Sequence, residues 1–241
     1  MKMYSRFFVV PALIAGLQAA SAGDITGKVT LNGNPPPDQV NDLIKADPNC
    51  GPLHKDVVKI QFYVVDANKG LKDTVITLKG VAGKSTGEAA PAVVLDQTGC
   101  IYTPTILALQ TGQKLVVKNP DPVMHTVHPA PNPDSGNKEV NKSQMPNGPD
   151  ISFTFANPER FLKIKCDVHP WMLSWVTVVV NPYFAITGAD GSFKIANVPP
   201  GKYTIEATHR KASGGKPVTK EIEVTAAGAT ADFSLDGPKA Q

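Results

Sequence analysis

Cys166-Asp-Val-His169-Pro-Trp-Met172 puts a thiol, an imidazole and a thioether within seven residues, and His125-Thr-Val-His128 supplies two more imidazoles upstream. A cysteine with His three residues on and Met six on can wrap a tight loop around one ion. A His arriving from a distant strand then completes the set. An ion that cycles between two oxidation states needs donors acceptable to both, and two imidazoles, a thiolate and a weak axial thioether meet that need for copper. His125, Cys166, His169 and Met172 are therefore the candidate metal ligands.

A second donor set competes with the first. His125-x-x-His128 with Cys166-x-x-His169 makes one thiolate and three imidazoles, which can hold zinc tetrahedrally in a structural role. Paired short spacings of that kind ordinarily enclose a shorter segment than the one here, and Met172 would be idle. His128 has three readings: a plain loop residue, a hydrogen-bonding neighbour of the site, or a further nitrogen ligand displacing Met172. Directions alternate along an extended chain, so an offset of three points His128 away from His125, and the non-ligand reading is favoured.

The three cysteines are Cys50, Cys100 and Cys166. Cys166 stands among metal-type ligands, whereas Cys50 and Cys100 stand beside glycines with no His or carboxylate cluster. The expected disulfide is therefore Cys50 to Cys100, closing a loop that stabilises the fold by about 4 to 5 kcal/mol on the chain-entropy account. An oxidising compartment is also what the first residues suggest. Lys2 and Arg6 precede an apolar run from Phe7 to Leu17, and Ala20-Ser21-Ala22 offers small residues for cleavage, so 1–22 read as a signal peptide and the mature chain as periplasmic or secreted. No later stretch reaches the roughly 20 apolar residues of a membrane span. Without Lys2 and Arg6 the net charge of +3 falls to +1, which gives no electrostatic reason to expect nucleic acid or acidic lipid as a partner.

Short β-branched runs between Gly, Pro, Asn and Asp recur throughout, and long 3.6-period segments are missing, so the chain reads as all-β. Expected strands include Ile25 to Leu31, Val57 to Val65, Val75 to Leu78, Ile106 to Leu109, Lys114 to Lys118, Arg160 to Lys165, Trp175 to Val180 and Tyr203 to Thr208. Asp38 to Lys45 suits one short helix. Pro129 to Pro149, rich in Pro, Asn, Gly and Lys, reads as a long surface loop. Gly83-Lys-Ser85-Thr-Gly87 has the letters of a hydrolase elbow, but that motif needs a following helix, and Glu88-Ala-Ala-Pro91 is too short for one. His54 and His209 read as ordinary surface residues.

Two resemblances organise these elements. Thr103-Pro-Thr-Ile-Leu107, Gly112, Leu115-Val-Val-Lys-Asn119 and His125, with the Cys166-x-x-His169-x-x-Met172 loop, resemble the cupredoxin family of Greek-key sandwiches, in its amicyanin-like, short-loop form. Thr187-Gly-Ala-Asp190-Gly191-Ser-Phe193 with Val198-Pro-Pro-Gly201-Lys-Tyr203 resembles the carboxypeptidase regulatory-like family, a small transthyretin-like β-sandwich whose first strand reads like Ile25-Thr-Gly27-Lys-Val29. The resemblances imply a copper domain at 91–181 inserted into a sandwich built from 23–90 and 182–241. They imply one type-1 (blue) copper, one-electron transfer to an unidentified redox protein and Asn119 as a supporting residue; Pro170 and Trp171 beside His169, with Pro122, Val123 and Met124 before His125, read either as an apolar docking collar or, for Trp171, as packing under the loop. Multicopper oxidases share the cupredoxin module, but their oxygen-reducing cluster needs many His in His-x-His pairs; five His and no such pair point away from an enzyme. A copper-holding or adhesive envelope module is the alternative that the appended sandwich suggests.

Overall fold

The computed structural model describes residues 21–81 and 85–238. The expected signal segment therefore lies almost wholly outside the described residues, as do Gly83 and Lys84 of the elbow-like motif. Among the described residues no helix is long and apolar enough to cross a membrane. The fold is all-β, as the alternating patterns require.

Two sheets enclose the middle core. One runs Ile151–Phe153, Leu115–Lys118, Val93–Asp96; the other runs Ile106–Gln110, Leu173–Val179, Glu159–Lys165, His125–Ala130, Lys142–Gln144. Their inward side chains, among them Leu95, Leu109, Leu115, Val117, Leu162, Ile164, Val176 and Val178, form one buried cluster that also takes in Cys166 and Met172. Ile106–Gln110 pairs parallel with Leu173–Val179, and Val93–Asp96 parallel with Leu115–Lys118. Parallel neighbours cannot be joined by a tight hairpin, so the chain crosses between sheets, and that crossing brings His125 and Cys166 to one end.

A second core draws on both ends of the chain. Gly23–Asn32 pairs antiparallel with Ser192–Val198 and parallel with Phe233–Asp236. A sheet of Phe184–Ile186, Val75–Lys79, Gly201–Thr208 and Val218–Val224 supplies the rest. Ile25, Val29, Leu31, Leu78, Phe193, Ile195, Ile205, Phe233 and Leu235 fill the space between them. The two cores meet through a small apolar seam in which Ile106, Ala108, Phe161 and Trp175 pack with Val75, Phe184 and Ile186.

Several local expectations need correction. The residues near 41–58 pack on the middle core, in which Ile44 and Cys50 are buried and against which Val58 packs. The short helix is Asp42–Ala46, capped by Asn41, whose side chain accepts from the Ile44 amide. Val57 to Val65 shrinks to the strand Lys59–Ile60, paired with Gln39–Val40, plus a bridge at Val65, because the stretch divides between the two cores, Val58 packing on one and Tyr63 and Val65 on the other. The Pro129–Pro149 segment holds the end of His125–Ala130 and the edge strand Lys142–Gln144; polar composition there reflects an edge facing water.

Neither outlying His is a plain surface residue. His54 reaches the Gly99 carbonyl at 2.7 Å. His209 is 3% exposed, stacks on Tyr63 at 5.3 Å, and its Nδ1 accepts from the amides of Lys211 and Ala212. Beside it the Arg210 guanidinium lies 4.6 Å from the Trp175 ring centre, bridging the two halves. Burial, helped by the Arg210 charge, lowers the His209 pKa to about 4. Its folded value lies below the unfolded one of about 6.5, so the stabilisation is complete above pH 6.5 and disappears as pH falls toward 4. His209→Gln should therefore flatten the acid limb of the stability–pH curve across that window, by about 3 kcal/mol, measured by urea unfolding at successive pH values. Gly27 gives a second test. A Cβ there would run into the Ala231 carbonyl and the Phe193 ring, so Gly27→Ala is expected to destabilise by about 1–3 kcal/mol, read as a lowered denaturant midpoint at constant slope.

Candidate metal centre

The ligand loop is a hairpin connection. Glu159–Lys165 and Leu173–Val179 pair with Lys165 opposite Leu173, leaving 166–172 to cross between them. Two backbone bonds fold those residues tightly: Met172 N–H donates to the His169 carbonyl at 2.9 Å and Cys166 N–H to the Met172 carbonyl at 3.2 Å. On its other side Glu159–Lys165 pairs with His125–Ala130, with Lys165 opposite His128. That register sets Thr126 against Cys166 and turns His125 into the space above the loop.

Three donors converge there. Nδ1 of His125 lies 3.0 Å from Nδ1 of His169, and Cys166 Sγ lies 3.7 Å from that same His169 nitrogen. His125, Cys166 and His169 are all buried and form a mutually close donor group. Metal bonds of about 2.0–2.3 Å to nitrogen and sulfur place two donors on one ion roughly 3–4 Å apart, so the set fits a single ion. Met172 is buried in the same apolar cluster as Cys166. His128 does not join them. Its Nδ1 is 2.7 Å from Asp167 and its Nε2 2.7 Å from Glu139, so both ring nitrogens are engaged by carboxylates at the rim.

Hydrogen bonds converge on the sulfur. Thr126 donates to Cys166 Sγ from its amide at 3.3 Å and from its hydroxyl at 3.6 Å, and that hydroxyl in turn accepts from the Asp167 amide at 2.7 Å. Burial works against a charged sulfur, but His125 and the Thr126 donors outweigh it and hold the Cys166 pKa at about 6. The thiolate is thus the resting form at neutral pH, and the thiolate is the ligand form. Burial likewise opposes charge on His125, while Cys166 and Asp121 together hold its pKa above the usual value.

Asp121 is the residue that sequence reasoning missed. Its carboxylate lies 3.0 Å from His125 Nε2 and accepts the amides of Gly99 at 2.7 Å and Cys100 at 2.6 Å. With Nε2–H directed at Asp121, Nδ1 is left with its lone pair toward the other donors. In Asn119-Pro-Asp121-Pro the Asp reads as a turn residue, and its distance of four from His125 was the available signal. The Asn119 side-chain amide donates to the carbonyls of Val123, Gln144 and Met145, and its oxygen accepts from the Asp121 amide.

The Cys50–Cys100 disulfide is present and lies against the outer edge of the site, its two sulfurs grouped with a His169 ring nitrogen. Trp171 donates from Nε1 to the Cys100 carbonyl at 3.0 Å, and its ring centre is 5.2 Å from that of His169. His169 is consequently 3% exposed, whereas Pro170 stands in solvent.

No protein-family model and no curated protein matches the chain. Among solved structures, a copper(I) form of an amicyanin variant is 21% identical over 43% of this chain and 97% of its own, with a TM-score of 0.33. A purple cupredoxin from Nitrosopumilus maritimus is 20% identical over 36% of this chain and 98% of its own, at 0.29. A copper-containing nitrite reductase from Thermus scotoductus is 18% identical over 42% of this chain and 25% of its own, at 0.33.

Asp121→Asn removes the charge behind His125 and leaves one oxygen where the Gly99 and Cys100 amides now have one each. It should weaken metal retention by ~10–100-fold, measured by competition against a chromophoric chelator; unchanged retention would show that the Asp121 contact only braces the loop.

Proposed function

We propose that this chain is an exported type-1 copper protein, with His125, Cys166, His169 and Met172 as ligands, that passes one electron at a time. The observation that carries the reading is the convergence of two buried imidazole nitrogens and a thiolate-poised sulfur within 4.8 Å at one end of a packed sandwich. A copper ion bound there supplies one-electron redox chemistry. The chain supplies rigidity: strands and a hydrogen-bonded hairpin fix the donors, so their positions change little between oxidation states. The soft sulfur donors suit copper, and the engagement of His128 by Asp167 and Glu139 counts against the zinc set of one thiolate and three imidazoles.

The wider proposal is of a cupredoxin domain set into a regulatory-like sandwich formed by the two ends of the chain, without a catalytic role, in the periplasm or outside the cell. A redox protein is the proposed partner. A copper-holding role is the second reading, favoured by the cover that Trp171 and the disulfide place over His169.

Copper(II)-loaded protein should show an intense visible thiolate-to-copper charge-transfer band that is abolished in Cys166→Ala. A colourless protein that takes up zinc stoichiometrically would sink the proposal. Electron exchange with a small cytochrome or redox dye separates carrier from store, negligible exchange by the copper-loaded protein favouring the store.

A further inference from the structure

The disulfide sits in an unusual place for a staple. One sulfur from each of Cys50 and Cys100 and a ring nitrogen of His169 all lie within 4.8 Å of one another, and the three residues are buried. As a disulfide the pair offers no thiolate. As two thiols it would present soft donors beside the His169 imidazole.

We propose that Cys50 and Cys100, once opened by a dithiol reductant, form with His169 a second metal site for a soft monovalent ion such as copper(I). Opening is thiol–disulfide exchange: the reductant's two thiols become its disulfide, and two electrons and two protons pass to the cysteine pair. Metal binding then displaces the two thiol protons as sulfur–metal bonds form, and because His169 serves both centres its imidazole also gives up its N–H proton and binds one ion through each ring nitrogen. Thiolates select copper(I) among the ions such a pocket could take. The inference rests on the reading of the neighbouring centre in one respect, because His169 serves both.

The backbones of the two cysteines are held by contacts other than the bond between their sulfurs. Cys50 N–H donates to the Asp47 carboxylate at 2.8 Å and Gly51 N–H to the Asp47 carbonyl at 2.9 Å. Cys100 N–H donates to Asp121 at 2.6 Å, its carbonyl accepts from Trp171, and the neighbouring Gly99 carbonyl is held by His54. Each cysteine therefore keeps its backbone anchored when the bond opens, so the thiols remain beside His169. A cavity of about 150 Å³ lined by Ile44, Gly51, His54 and Val58 borders the Cys50 turn.

The test is a pair of anaerobic copper(I) titrations of the metal-free full chain against bicinchoninate, with and without prior treatment by dithiothreitol removed by gel filtration. The oxidised protein should bind one copper(I) per chain and the reduced protein two, and Cys50→Ser/Cys100→Ser should bind one under both conditions. Copper(I) should also protect Cys50 and Cys100 of the reduced wild type from iodoacetamide in peptide mapping, which serves if the double variant folds poorly. A reduced protein that stops at one equivalent, leaves those thiols unprotected, resists the dithiol, or loses its β-sheet circular dichroism on reduction overturns the proposal. The blue band of the oxidised copper(II) protein tests the first centre by itself. With that band present and the second equivalent missing, only this inference fails.

Discussion

The strand Glu159–Lys165 is held on both sides, by His125–Ala130 and by Leu173–Val179, and the end of the molecule where His125, Cys166 and His169 converge depends on that double pairing. Side chains alternate across a strand, so a slip of one residue in either ladder would reverse which of them faces the core. In the register present, Leu162 and Ile164 point inward and Cys166 follows them into the buried cluster. The same register sets Thr126 beside the sulfur. The ligand loop needs little order of its own, because both its ends are already fixed.

Burying a thiolate and two imidazoles is costly unless their polar atoms are partnered. The partners come from a web that reaches well beyond the loop. Thr126 serves the sulfur, Asp121 serves His125, and Asp121 is itself satisfied by the amides of Gly99 and Cys100. Cys100 carries the disulfide that brings in the 41–58 segment, and Trp171 closes the circuit from the ligand loop back to Cys100. One carboxylate and one disulfide thus tie both imidazoles to a stretch of chain that precedes the sandwich. The consequence is a closed site whose second imidazole meets sulfur and indole where open solvent would otherwise be.

The strands were legible in the sequence wherever a run of alternating or continuous apolar residues faces a core, as in Ile25 to Leu31, Ile106 to Leu109 and Tyr203 to Thr208. Legibility failed at edges. Lys142–Gln144 carries little apolar signal because only Gln144 turns inward, and the polar stretch around it looks like loop. It failed again at His209, whose burial follows from stacking on Tyr63, some 146 positions away in the chain, and at Asp121, whose role exists only because Gly99, Cys100 and His125 meet around it.

The sequence by itself determined the residue types available: an odd thiol spaced with His and Met, two cysteines left to pair, and patterns that suit sheets. Those are local properties, written in residue type and short spacing. The tertiary structure alone decided which imidazoles converge, that His128 turns to Asp167 and Glu139, and that the disulfide lies against His169. Each of these depends on strand register and on crossings between sheets, which bring together residues tens of positions apart, and no short spacing encodes such a meeting. The opening loop supplies the donors, and the long-range pairing of His125–Ala130 with Glu159–Lys165 makes them a site.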